Sequence, residues 1–314
     1  MRVFVTGGTG LVGTHLLKKL RERGDHAVVL SRRPEAVQQL ASEHCTVVVG
    51  DPVQPGPWMD VIADCDAVVH MAGEGVFNRR WSQEFKDLIY SSRIKSTDNI
   101  VAALGKPSPL PTGGEGPGVR GKVFVSGSAI GYYGPHGDEE LTEESLAGND
   151  FLAKVCIDWE KAAQAASVHG VRVVLLRTGI VLDKTGGPLA KMLTPFKMFV
   201  GGPIAGGRQY MSWIHIDDEI GLILHALDHP EISGPLNSTA PQPMTNRDFS
   251  KSLGKALGRP SFLPTPGFAL RVMLGEGAQL VTTGQRVVPK KALESAYAFK
   301  FTDLETALKH LLAS

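Results

Sequence analysis

The sequence has no excess of charge of either sign. Its 314 residues carry 33 Lys+Arg against 32 Asp+Glu, a formal net charge of +1. That balance leaves no electrostatic footprint for nucleic acid or an anionic membrane, and a small-molecule substrate is the expected partner. Cysteine is scarce: Cys45, Cys65 and Cys156 are scattered, without CxxC or metal-ligand spacing. They read as reduced thiols in a reducing compartment, with neither a disulfide framework nor a metal site expected. Long apolar runs are also missing. None approaches the roughly 20 residues a spanning helix needs, and Val3-Phe4-Val5 gives way to glycines where a signal peptide would stay apolar. A soluble, cytoplasmic protein with no membrane partner is therefore expected. Its length allows one large α/β domain or two modest ones.

What is present starts at once. Arg2 to Val5 suit a buried parallel strand, and Thr6-Gly7-Gly8-Thr9-Gly10-Leu11-Val12-Gly13 follows. Leu11, Leu16, Leu17 and Leu20 then recur at helical spacing until Gly24, and a second strand runs from Ala27 to Leu30. Strand, glycine turn, helix and strand stand in the order of a dinucleotide-binding unit. Gly7 permits the tight turn, Gly10 lets the backbone approach a pyrophosphate, and Gly13 lets the helix pack on the strand. The phosphates would lie at the positive end of the helix that starts near Leu11.

One further absence sets the cofactor. The second strand ends in Ser31-Arg32-Arg33, where an NAD-selective site places a carboxylate for the ribose 2′-hydroxyl. Two guanidinium forks suit a 2′-phosphate instead, so NADP(H) is expected, the alternative reading being a solvated basic loop. Asp51, after a strand over Thr46 to Val49, is read either as an adenine contact or as a turn residue. Met71-Ala72-Gly73, after a strand over Ala67 to His70, would let the chain pass beside the cofactor ribose, and His70 reads as a packed strand-end residue. A helix is expected over 82–104 with Ser82 as its N-cap. Arg80 and Arg93 are read as reaching a substrate or a cofactor phosphate, or as surface charges. The Pro/Gly tract from Lys106 to Gly121 reads as a mobile surface loop.

The fifth strand, Lys122 to Val125, leads into Ser126-Gly-Ser-Ala-Ile-Gly-Tyr-Tyr-Gly134. Together with the glycine turn, Leu176-Arg177-Thr178 and Trp213-Ile-His-Ile-Asp-Asp218, this resembles extended short-chain dehydrogenase/reductases of the UDP-galactose epimerase type. Arg80-Trp81, Ser92-Arg93, Gly201-Gly-Pro203, Arg208-Gln-Tyr210 and Gly284-Gln-Arg286 narrow the resemblance. They are similar to an atypical branch called epimerase family or sugar-nucleotide epimerase-like proteins, which ends in a domain of unknown function. The resemblance implies a Rossmann-type doubly wound α/β sheet with a small, mostly helical C-terminal cap. It implies nucleotide-domain residues 1–182 and 213–239 and cap residues 183–212 and 240–314. A homodimer is in keeping with it.

In the wider family a Ser and a YxxxK pair do the chemistry. By resemblance Ser128 orients the substrate oxygen and Lys154 holds the nicotinamide ribose. Four residues before Lys154, however, stands Asp150, which reads as a helix N-cap, so the usual Tyr is missing. Tyr132 or Tyr133 is then either a substitute acid/base or a wall residue. Residues 183–209 read as loop-rich, with Arg208 a candidate for an anionic substrate, and helices are expected at 246–257, 267–274 and 303–312. Asn237 is expected to bond the loop carrying His215. A crevice should open where nucleotide and cap regions meet. Arg271, Arg286 and Lys290 are read as its polar groups or as surface charges. Two functions follow: an epimerase-like oxidoreductase on a small polar substrate such as a nucleotide sugar, or an NADP(H)-binding redox sensor or regulator without turnover. A third reading is a structural partner that binds nothing.

Overall fold

Seven strands alternate with helices because short β-branched runs are punctuated by amphipathic segments. They are β1 (Arg2–Thr6), β2 (His26–Ser31), β3 (Cys45–Val49), β4 (Ala67–His70), β5 (Val123–Ala129), β6 (Arg172–Thr178) and β7 (Gly234–Ser238). The computed structural model describes residues 1–33, 35, 42–106 and 121–313. Most of the expected Pro/Gly loop, residues 107–120, lies outside them. All seven strands pair in parallel, in the order β3-β2-β1-β4-β5-β6-β7. The order reverses between β1 and β4, and the crevice at such a switch point is where doubly wound sheets bind nucleotides.

Alternation within the strands feeds two cores. Val3, Val5, Val29 and Val69 face α1 (Leu11–Glu22), whose Leu16, Leu17 and Leu20 are buried against them. Phe4, Val28, Val68 and Phe124 face the opposite layer, with Trp58, Ile62, Ile100 and Leu104. Ile100 and Leu104 come from α2 (Gln83–Leu104), and Ser82 caps that helix by accepting from Phe85 N–H at 3.2 Å. The helix α3 (Phe151–Gln164) begins at Asp150, whose carboxylate accepts from Ala153 N–H at 2.8 Å.

One expectation fails in the second half. Residues 187–197 are not loop but α4 (Gly187–Lys197). Leu189, Leu193 and Phe196 are buried along one side, and Pro188 sits at its start, where a missing N–H costs nothing. Pro195 and the flanking glycines hide that pattern in the sequence. The Trp213-to-Asp218 segment proves structural. His215 caps α5 (Ile216–Asp228), its Nδ1 accepting from Asp217 N–H, and buried Asp218 accepts from Lys300 and Phe301 N–H. Those bonds tie the C-terminal segment, ending in a helix at Leu304–Ala313, to the nucleotide layer. The strands Tyr210–Met211 and Met244–Thr245 pair antiparallel, ahead of α6 (Asn246–Leu257). Cys45, Cys65 and Cys156 are all free thiols.

Candidate functional site

The site is built on the glycine turn. Gly7 has φ +72, and a Cβ there would meet the Met71 carbonyl carbon at 2.9 Å. A Cβ on Gly13 would lie 2.2 Å from the Gly7 oxygen and 2.6 Å from Gly8 Cα, so the helix meets the turn backbone to backbone. Gly10 is different: its nearest neighbour to a Cβ is the Gly7 oxygen at 3.2 Å, and it is exposed with Thr9. At this end of α1 no side chain caps Gly10 and no carboxylate stands in the first turn. Leu11 is held from beside by Gly186 and Gly187, where Cβ positions come 3.1 and 3.2 Å from its methyls. The cradle therefore presents backbone N–H groups and a positive dipole to open space, which fits a pyrophosphate.

Thr6, at the end of β1, works behind the turn. Ser96 donates to the Ser92 carbonyl and accepts from His70 Nε2 at 3.0 Å, Thr6 donates to His70 Nδ1 at 2.6 Å, and Ala72 N–H donates to Thr6 at 3.3 Å. One neutral tautomer satisfies the chain, and burial takes the His70 pKa down to about 3. His70 is thus a brace between β1, β4 and α2. It sets Met71-Ala72-Gly73 against the glycine turn, with Val12 on the neighbouring face of α1.

At the end of β2, Ser31 Oγ accepts from Arg33 N–H at 3.1 Å and shapes the turn that carries both arginines. Arg32 and Arg33 are exposed, and no described carboxylate pairs with either. Asp51 takes the turn role, accepting from Val53 N–H at 3.0 Å.

Beyond β5 the structure departs from expectation. Val123–Ala129 is one long strand, so Ser128 lies on it rather than in a loop. Its hydroxyl donates to Glu160 Oε1 at 2.6 Å, and Glu160 forms a two-point pair with Arg177 at 2.8 Å on each oxygen. Arg177 also donates to Tyr133 Oη at 3.0 Å, and Tyr133 donates to Asn237 Oδ1 at 2.7 Å. Tyr133 is fully buried, and burial pushes its pKa up to about 12 against the opposing pull of Arg177. Asn237 therefore bonds Tyr133, not the loop carrying His215. The Tyr132 ring lies over the Arg177 guanidinium, 3.5 Å from Cζ. The Tyr133 hydroxyl is thereby engaged in a buried polar network, and the half-buried Tyr132 covers that network with its ring.

Lys154 is not brought to Ser128. Its side chain is 70% exposed and pairs with Asp158 at 2.8 Å, one turn along α3. The inward face of α3 instead presents Leu152 and Cys156 toward Gly131, and burial pushes the Cys156 thiol up to about 12. Glu160 and Arg177 were missed as a pair. The available signal was a guanidinium inside the apolar strand Val-Val-Leu-Leu-Arg177, which demands a buried carboxylate.

Arg93 is half-buried beside Gly73, over the Trp159 ring at 5.1 Å, and donates to the Glu74 and Ile89 carbonyls at 3.0 Å. It meets no described carboxylate. Arg208 is exposed at a separate place, in a cavity of about 580 Å³ lined also by His136, Asp138, Gln209 and Gly284. That cavity lies between the chain after β5 and the C-terminal region. Arg286 and Lys290 pair with Glu140 and Glu144 at 2.8 Å, and Arg271 is exposed.

Residues 3–237 match the model of the NAD dependent epimerase/dehydratase family. The chain belongs to that family. Residues 265–311 match a second model, a domain of unknown function (DUF1731). An Arabidopsis thaliana relative, "Epimerase family protein SDR39U1 homolog, chloroplastic", is 40% identical over 99% of this chain and 87% of its own length. The Bacillus subtilis epimerase family protein YfhF is 36% identical over 100% of this chain and 98% of its own. Among solved structures, human epimerase family protein SDR39U1 with NADPH superposes at TM-score 0.84 and 32% identity, covering 100% of this chain and 99% of that one. Bacillus cereus UDP-glucuronic acid 4-epimerase, at 18% identity and TM-score 0.75, shares the fold. The superposition on the human structure confirms the doubly wound sheet.

Proposed function

We propose that the chain binds NADP(H) and acts as an epimerase-like oxidoreductase on a small polar substrate, a nucleotide sugar being the class the family suggests. The observation that carries this reading is the uncapped, carboxylate-free amino end of α1 beside two exposed arginines. The human relative crystallised with NADPH supports it. When bound, the nicotinamide exchanges a hydride with a carbon that bears oxygen. The α1 amides and dipole hold the pyrophosphate, and Arg32 and Arg33 fork onto the 2′-phosphate. Met71, Ala72 and Gly73 wall the ribose, while Ser128, its proton engaged by Glu160, keeps oxygen lone pairs to accept from a substrate hydroxyl. Arg93, beside Gly73, is a cation offered to an anionic group next to the cofactor site, and Arg208 is one offered in its separate cavity.

Titration with NADPH and NADH, read by calorimetry, tests the cofactor half. Arg32→Ala and Arg33→Ala should each weaken NADPH by about 1.5–3 kcal/mol, the worth of a hydrogen bond to a charged group, and leave NADH unchanged. Equal affinity for both cofactors in the unaltered chain would remove the 2′-phosphate clamp; failure to bind either would remove the proposal.

A second reading, cofactor binding without turnover as a sensor or regulator, is favoured by one observation. Neither the Tyr133 hydroxyl nor the Lys154 ammonium is free beside Ser128. A positioned acid/base contributes about 10²–10⁴-fold to rate, so its absence suits a protein that reports the cofactor. Turnover decides for the enzyme. It is read as nicotinamide absorbance change with carbonyl or alcohol candidates and, because an epimerase returns the hydride and leaves no net absorbance change, as chromatographic conversion of nucleotide sugars. Absence of both decides for the sensor.

A further inference from the structure

The near-zero net charge conceals a strong local imbalance. Residues 184–216 and 249–275 contain eight lysines and arginines and no Asp or Glu. The two stretches meet in space: Ile204 bridges Thr265, Ala205 N–H donates to the Thr265 carbonyl at 3.0 Å, and Arg259 lies 4.6 Å over the Phe199 ring. On this joined surface Phe262 is 78%, Phe268 74% and Met273 69% exposed, with Met198, Phe199 and Val272 also standing out. The helix Gly267–Leu274 has no buried residue at all. Phe268 and Val272 lie one turn apart on it, with Arg271 beside them. A soluble surface scatters such side chains singly; this many on adjoining segments marks an interaction site.

We infer that this face of the C-terminal region adsorbs to an anionic lipid bilayer, with the phenylalanines, Val272 and Met273 in the headgroup–acyl boundary and Lys197, Arg259 and Arg271 on the lipid phosphates. Three observations select that occupant. Lys255 in these stretches pairs with Glu305, but no described carboxylate forms an ion pair with Lys197, Arg259 or Arg271, so the surface complementary to those three is anionic. A second copy would bring cations onto cations, because a two-fold interface sets like patches together. The apolar side chains protrude rather than line a groove, which suits a fluid apolar phase that needs no shape complementarity. No described helix is long and apolar enough to cross a membrane, so the contact is adsorption at the surface.

The test is co-sedimentation of the full chain with vesicles of pure phosphatidylcholine and of a phosphatidylcholine–phosphatidylglycerol mixture, at low and high salt. Binding is expected to the mixed vesicles only and to weaken as salt screens the headgroups. Arg271→Glu and Arg259→Glu should each lower the partition coefficient by about fivefold or more. The double variant Phe268→Asp, Met273→Asp should abolish adsorption while NADPH affinity and the thermal midpoint, read in parallel, report an intact fold. Loss of the fold in that variant moves the decision to the single arginine reversals. No sedimentation with mixed vesicles at low salt overturns the proposal, as does equal binding to both vesicles. Concentration-dependent self-association by light scattering, lost in the double variant, would assign the face to a second copy and overturn it as well.

Discussion

Gly10 and Gly13 stand three residues apart in the glycine turn and answer to different demands. A methyl on Gly13 would run into the Gly7 oxygen and the Gly8 backbone, neither of which can yield without moving β1 against α1. Gly13→Ala should therefore cost about 1–3 kcal/mol of stability, as overpacking does, and weaken the cofactor with it. A methyl on Gly10 meets only the Gly7 oxygen at 3.2 Å and otherwise faces the proposed phosphate. Gly10→Ala should leave urea denaturation near that of the unaltered chain and reduce NADPH affinity alone. Equal effects of the two substitutions on stability would contradict this division. Both glycines were legible from spacing alone. Ser128, by contrast, was legible only as a position; its bond to Glu160 joins residues 32 apart and could not be read from either neighbourhood.

At the scale of an element, α3 separates two kinds of residue by face. Ala153, Cys156, Glu160 and Ala163 point inward, while Lys154 points to solvent and is closed off in a one-turn ion pair with Asp158. Lys154→Ala should leave NADPH affinity unchanged within about twofold, since its side chain points to solvent and pairs with Asp158 rather than standing beside Ser128. Glu160→Ala should destabilise the fold by about 3–5 kcal/mol, because it leaves the Arg177 guanidinium buried without its carboxylate. Calorimetric titration and denaturation on the same two proteins check both; a large loss of NADPH binding in Lys154→Ala would restore it to the ribose. The helices and strands themselves were largely readable, since period and caps are local. The helix Gly187–Lys197 escaped because a proline and paired glycines outweigh three buried apolar residues when only the sequence is seen.

Across the whole molecule, stability depends on a carboxyl group far from the cofactor turn. Glu219 in α5 is fully buried between Thr178 on β6 and Ser238 on β7, both donating to it, and burial raises its pKa to about 7. In the unfolded chain it titrates near 4.5. Between those values the folded state holds a proton the unfolded state has lost, so stability is full below pH 4.5 and falls as pH rises toward 7. His70 and His215, lowered to about 3 and about 4, act in the opposite sense, losing stability as pH falls below 6.5. Glu219→Gln removes only the first effect. Relative to the unaltered chain it should gain on the order of 2–3 kcal/mol between pH 5 and pH 8 in urea denaturation. A difference that stays constant with pH would refute the buried-carboxyl account.

By itself the sequence determined the dinucleotide-binding order of strand, turn and helix, the first five strands, the caps at Ser82 and Asp150, and the absence of a carboxylate after β2. Each depends on residues a few positions apart, whose spacing already dictates which backbone geometry and which face they take. Tertiary structure alone decided that Glu160 answers Arg177, that Tyr133 is consumed by Asn237, that Lys154 looks outward, and that two carboxylate-free stretches meet as one exposed apolar face. Those outcomes depend on charges and hydroxyls far apart in the chain. Their partners are chosen by the cost of leaving a buried polar group unpaired, and that cost appears only once the sheet has closed around them.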